Sequence, residues 1–213
     1  MLPIDETLRA VVALAIGLLL GSVLPADLLA RYKGIDIRST GDGNPGTVNA
    51  FRALGAGFGA ITAAYDISVG VIAIEIARLI GVSEGPAYAA GIAAIVGHRF
   101  PAFGRFQGGG QGMGASAGLL AYGVAIGLVN GWLSATEIAI LVAILLVTFA
   151  LTRSDKLMAI VMLPGLVAIM LYAQADWQFR AFMIVVAMHI WIVQAVLIRR
   201  SPSPRTIWWW SRG

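Results

Sequence analysis

The charges of this chain fall in short clusters, and the apolar stretches between them are long enough to cross a bilayer. A water-soluble fold would need charge spread over many surfaces, yet 59% of the residues are hydrophobic and 12% charged. Transmembrane barrels alternate apolar and polar residues, and these runs do not. The pattern predicts an all-α integral membrane protein of about seven spans. They cover Leu8–Leu29, Phe58–Ile80, Pro86–Phe103, Ala115–Val129, Ala135–Leu151, Leu157–Tyr172 and Phe179–Ile198. Residues 1–200 are expected to form a single polytopic domain, followed by a Trp/Arg-rich tail at 201–213. That tail suits an inner-leaflet interface or a membrane-protein partner.

Basic residues orient membrane helices, so the net charge of +4 reports topology rather than nucleic-acid binding. An outside N-terminus and a cytoplasmic C-terminus place twelve of the fifteen lysines and arginines on the inner side. The opening MLPIDETLRA has no basic n-region, which favours a retained first helix over a cleaved signal. Cysteine is absent, which excludes disulfides and thiol chemistry. With His98 and His189 the two histidines, a histidine-based metal centre is disfavoured.

The longest polar interruption, Gly34–Gly55, carries Asp36, Arg38, Asp42, Asn44, Asn49 and Arg52. Asn44 followed by Pro45 reads as the start of a helix, whose unpaired amides make an anion site beside Arg38 and Arg52. A second loop, Gly97–Ser116, holds seven glycines, two arginines and His98, the composition of an amide nest for anions. The competing reading for both is a turn between membrane helices. On the predicted orientation both loops, and the Thr152–Lys156 turn, face the cytoplasm. Within the second span, Asp66 lies toward these loops, and Glu75 with Arg78 forms an i,i+3 ion pair.

These residues resemble the bacterial acyl-phosphate-dependent glycerol-3-phosphate acyltransferases. Gly21-Ser22, Pro25, Gly34-Ile35-Asp36-Ile37-Arg38, Gly41, Gly43-Asn44, Gly46, Asn49, Phe51-Arg52 and Gly55 look like that family's first motif. Gly97-His98, Phe100-Pro101, Phe103, Phe106 and Gly108-Gly109 look like its second, Thr152-Arg153 like the start of a third, and Asp66 and Gly70 match further positions. The chain reads as a divergent member. Asp42 and Val48 stand where the family has Ser and Thr, Gln107 and Gln111 replace lysines, Val69 replaces another, and Ile192 replaces an Asn.

The resemblance implies transfer of a fatty acyl group from acyl phosphate to glycerol 3-phosphate, giving lysophosphatidic acid for phospholipid synthesis. The setting it implies is the bacterial cytoplasmic membrane, with membrane lipid as neighbour and no metal or coenzyme. On it, His98 and Asn44 are assigned to the catalytic centre, His98 by orienting its loop. Arg38, Asp42, Asn49, Arg52 and Arg153 are assigned to substrate or phosphate contacts, with Gly108, Gly109, Gly110, Gln111 and Gly112 cradling the donor phosphate. The alternative is a non-catalytic relative serving as a membrane-complex subunit or lipid-binding protein. A small transporter is a third reading, weakened by the lack of an internal repeat.

Overall fold

The computed structural model describes residues 5–200, save the side chains at 155, 156 and 200; the expected tail lies outside the described residues. No strand occurs among them. The helices are α1 (Glu6–Gly21), α2 (Pro25–Tyr32), α3 (Thr47–Leu54), α4 (Ala56–Leu79), α5 (Glu84–Arg99), α6 (Met113–Val129), α7 (Ala135–Thr152), α8 (Asp155–Tyr172) and α9 (Trp177–Arg200). The chain forms two compact units that divide within α6, between Leu119 and Leu120.

The first expected span is broken. The chain leaves helical geometry before Pro25, where Leu24 is extended, and α2 begins with proline at its first position. Proline lacks the amide a continuous helix would need but fits a new first turn. Length and composition qualify four stretches to cross a bilayer: Glu6–Tyr32, α4, α7 and α9. Met113–Val129 and Leu157–Tyr172 are apolar but shorter, and α5 has 16 residues. Length therefore leaves the count of about seven open, since about 20 residues fill the hydrocarbon.

The first unit rests on backbone contact between α1 and α5. A Cβ at Gly17 or Gly21 would run into the Ala90 or Ala94 carbonyl, and one at Gly97 into the Leu18 carbonyl. Small residues at such spacing let helices approach closely where the hydrophobic effect supplies little drive. The Tyr65 hydroxyl donates to the Leu20 carbonyl at 2.7 Å, tying α4 to the same pair. One end of the unit carries a charged knot. The Ser83 amide donates to Glu6 at 3.3 Å, and Arg78 pairs with Glu75 at 2.8 Å, as the spacing predicts, and with Glu84 at 2.6 Å. The polar loops and α2 lie at the other end of α1 and α5.

In the second unit, Ser134 and Glu137 form a capping box at the start of α7. Arg153 ends that helix in a left-handed conformation (φ 53°), and Ser154 caps α8 by accepting the Leu157 amide at 3.2 Å. The Trp132 and Phe179 rings pack 4.9 Å apart, and Met183 lies against Gly123, where a Cβ would not fit.

The orientation gives a direct test. A cysteine at Ser39 would be the chain's single thiol. It is expected to react with a membrane-impermeant maleimide only after cells are opened, and labelling of intact cells would reverse the assignment.

Candidate functional site

The first loop is knotted around its own residues. Asp36 accepts the Arg38 amide at 3.0 Å, which closes a 3₁₀ turn at Ile37–Ser39. Asn49, 1% exposed, donates from its amide nitrogen to the Ile37 and Thr40 carbonyls, each at 3.0 Å. Gly41 (φ +55°) lies against the Asn49 carboxamide, so a side chain there would meet both strain and a clash. Asn49 thus holds the loop from inside, and its donor hydrogens are spent.

The expected helix start is displaced. α3 begins at Thr47 with Gly46 as N-cap, two residues beyond the Asn44 cap read from the sequence. The Asn44 amide instead closes a turn on the Asp42 carboxylate at 3.1 Å, and its side-chain oxygen accepts the Gln111 amide at 3.1 Å. The anion at the α3 N-terminus is the chain's own. Thr47 Oγ1 donates to Asp66 Oδ2 at 2.8 Å, and Asp66 is 2% exposed. A buried carboxylate at this position complements the helix dipole and joins the loop to α4.

The second loop is laced to the first. The Ala102 amide donates to Ser22 Oγ at 2.9 Å, in the break between α1 and α2. The Gly110 amide donates to the His98 carbonyl at 2.9 Å, and the buried His98 ring fills the space a Cβ on Gly110 would need. Arg38 reaches across. One guanidinium nitrogen pairs with Asp27 and the other donates to the Gly108 carbonyl at 2.6 Å. Asp27 also holds Arg31 at 3.0 Å. An open cleft of about 730 Å³ borders these groups, with Asp27, Arg31, Asp36, Arg38 and Gly108 in its lining.

What remains available is informative. The amides of Gly110 and Gln111 are spent, but those of Gly108, Gly109 and Gly112 have no hydrogen-bond partner among the described residues. Arg52 is exposed and makes no ion pair or hydrogen bond among the described residues. Asp42 is exposed and pairs with neither Arg38 nor Arg52. Gln111 is half-buried. Arg153 belongs to the second unit and is exposed there. The first unit carries eleven of the twelve expected residues, in unlike settings: Asn49 and His98 as buried supports, Arg38 as a bridge, Asp42, Arg52 and Gly108 exposed, Asn44, Gly109 and Gln111 half-buried, and Gly110 and Gly112 buried.

The family model for glycerol-3-phosphate acyltransferase matches residues 11–203. The chain belongs to that family. Among curated members, the Deinococcus radiodurans glycerol-3-phosphate acyltransferase 1 is 42% identical over 115 residues, covering 54% of this chain and 58% of that one. The Desulforudis audaxviator glycerol-3-phosphate acyltransferase is 36% identical over 157 residues, 73% of each chain. The chain spans less than two thirds of the length of several relatives it matches most strongly. PlsY, an integral membrane glycerol 3-phosphate acyltransferase, has been solved in a glycerol 3-phosphate form; it aligns over 90% of each chain with a TM-score of 0.67 and 26% identity. Its lysophosphatidic acid form aligns over the same shares with a TM-score of 0.64 and 25% identity. Family membership and this likeness make the chain a multi-pass membrane protein.

Three residues that brace these loops carry no site role in the sequence reading: Ser22, Asp27 and Thr47. For Asp27 a signal existed. It lies four residues before Arg31 on one helix face, beside a loop of cations. Ser22 stands within the first motif, but neither it nor Thr47 showed which group it binds, because hydroxyls declare their partners only once the helices pack.

Proposed function

We propose that this chain transfers a fatty acyl group from acyl phosphate to the 1-hydroxyl of glycerol 3-phosphate in the bacterial cytoplasmic membrane. The two loops face the cytoplasm, where both phosphorylated substrates arrive. The observation that carries the reading is the lacing of the two glycine-rich loops, which leaves the amides of Gly108, Gly109 and Gly112 without a partner among the described residues. The relatives' names, and the glycerol 3-phosphate and lysophosphatidic acid forms of PlsY, supply the substrate class.

In this reading the three amides hold the donor phosphate, and Arg52 and Asn44 meet the acceptor. The acceptor hydroxyl oxygen attacks the acyl carbonyl carbon. The bond from that carbon to the phosphate oxygen breaks, and the departing phosphate takes the hydroxyl proton. The donor is already activated, so positioning and preset donors can carry much of the rate. His98 and Asn49 keep the loops in place. Purified protein in lipid, given acyl phosphate and glycerol 3-phosphate, is expected to produce lysophosphatidic acid and inorganic phosphate. No product, together with a stoichiometric copurifying protein, would replace this reading by that of a non-catalytic subunit.

The acidic Asp42 gives a second test. Its carboxylate stands at the acceptor side of the loop, where a doubly charged substrate would meet it. Asp42→Ser with Gln111→Lys removes one negative charge and adds one positive. The pair is expected to lower KM for glycerol 3-phosphate at least tenfold, about 1.4 kcal/mol, with the gain shrinking as salt rises. A folded double variant with an unchanged KM would remove Asp42 from the acceptor site.

A further inference from the structure

We propose that Asp66 is a positioning residue that ties the ends of both glycine-rich loops to the membrane helix α4. The proposal deepens the acyltransferase reading, on which its kinetic test depends; its exchange test needs no turnover. The first loop ends where α3 begins at Thr47, and the second where α6 begins at Met113. Asp66 lies inside α4 and meets both starts. Thr47 Oγ1 donates to its Oδ2 at 2.8 Å. A Cβ at Gly114 would lie 2.7 Å from the Asp66 Cβ, so the first turn of α6 runs directly against this residue. The Asp66 Cβ is fixed to the α4 backbone and cannot yield as the tip of a long side chain would. All of these residues belong to the first unit.

Packing alone does not call for an acid here. Asp66 is 2% exposed, makes no ion pair among the described residues, and its Oδ1 accepts no hydrogen bond from them. A carboxylate so placed is costly, and an apolar residue of similar shape would serve packing as well or better. The start of α3 gives the charge a use. Gly46, its N-cap, has no side chain to accept a first-turn amide. The positive end of the helix therefore lacks a cap of its own, and Asp66 supplies the negative charge from another helix. That charge, gripped by Thr47, sets where α3 starts and how it is turned.

The turn of α3 matters because of what the helix carries. Asn49 spends its donor hydrogens on the first loop, and Arg52 stands exposed in the last turn. A slip at Thr47 would move the loop and the cation together. Bonds between the loops, from Gln111 to Asn44 and from Arg38 to Gly108, set them against each other. They do not fix the pair relative to the bilayer. Asp66 does, because α4 is long and apolar enough to span it.

Asp66→Leu and Thr47→Val are each expected to lower kcat/KM for glycerol 3-phosphate about tenfold, the effect of one hydrogen bond to a charged group. The double variant should lose no more than either single one, since both remove the same bond. Thr47→Ser keeps the donor and should recover most of the activity. The melting temperature of Asp66→Leu should hold or rise, because a buried acid without a cation gives way to an apolar side chain. Additive losses, parental activity in Thr47→Val, a Thr47→Ser enzyme as poor as Thr47→Val, or a collapse of the Asp66→Leu melting temperature would overturn the proposal. If the parent protein forms no lysophosphatidic acid, the acyltransferase reading fails by itself. Amide hydrogen exchange of the full-length protein in lipid nanodiscs then decides. Thr47→Val should exchange faster than Thr47→Ser across residues 36–46. Gly114→Ala, at the end of the second loop, should speed exchange in the same first-loop segment by pressing on Asp66. Equal exchange of the two Thr47 variants, or a Gly114→Ala effect confined to residues 104–116, would overturn it.

Discussion

Gly109→Ala is expected to lower kcat/KM by at least a hundredfold. A Cβ at this position would collide with the backbone carbonyls of Arg99 and His98, which are fixed at the end of α5 and cannot swing away as a side chain tip would. The loop must move instead, and a displacement of about 1 Å at a reacting site costs on the order of a hundredfold in rate. The shift would also carry the Gly108 carbonyl away from Arg38 and the Gly110 amide away from His98. Stability is expected to fall by about 1–3 kcal/mol, the usual cost of overpacking. Gly57→Ala is the matched control. Nothing lies within 4 Å of its Cβ position, and it sits in α4, where alanine is the better helix former. Steady-state kinetics with thermal melts of both variants in one detergent would check this, and a Gly109→Ala enzyme as active as Gly57→Ala would show that the loop is not part of the site.

Arg52→Ala is expected to cost about 2–5 kcal/mol in transition-state stabilisation, or about 30-fold to several thousandfold in kcat/KM for glycerol 3-phosphate. That range is for removing one partner of a hydrogen-bonded charge pair. It applies on the reading that bound substrate covers Arg52, whose donors are available because it has no partner among the described residues. The same freedom means that the substitution breaks no internal contact, and the melting temperature should hold. Arg52→Lys keeps the charge but loses the planar fork that matches phosphate, so it should recover part of the loss. Arg205→Ala, in the tail, should leave activity nearly unchanged. Equal losses at positions 52 and 205 would point to general membrane charge rather than to substrate recognition.

The glycine run and the polar interruption stood out as a candidate site because their composition is anomalous between apolar helices. Their internal division of labour was not. Arg38 and Arg52 read alike in the sequence, yet one spans two partners and the other has none among the described residues. Asn44 and Asn49 read alike too, but Asn49 is buried under the loop while Asn44 reaches the second loop. Glu75 and Arg78 were predictable because helical spacing alone brings them together. The bond from Thr47 to Asp66 was not, because it depends on how α3 meets α4.

The sequence by itself determined the membrane class and the family, since apolar run length and long local motifs are properties of the chain read in order. It also held the break before Pro25, a proline signal that the uninterrupted hydropathy of the stretch concealed. Tertiary structure alone decided which polar groups are spent and which are free. Glycine contacts bring α1 and α5 together at backbone distance, and that approach sets the second loop against the first. Only then do Asp27, Arg38 and Gly108, far apart in the chain, come within hydrogen-bond reach, because donors and acceptors choose partners by distance and direction rather than by order in the sequence.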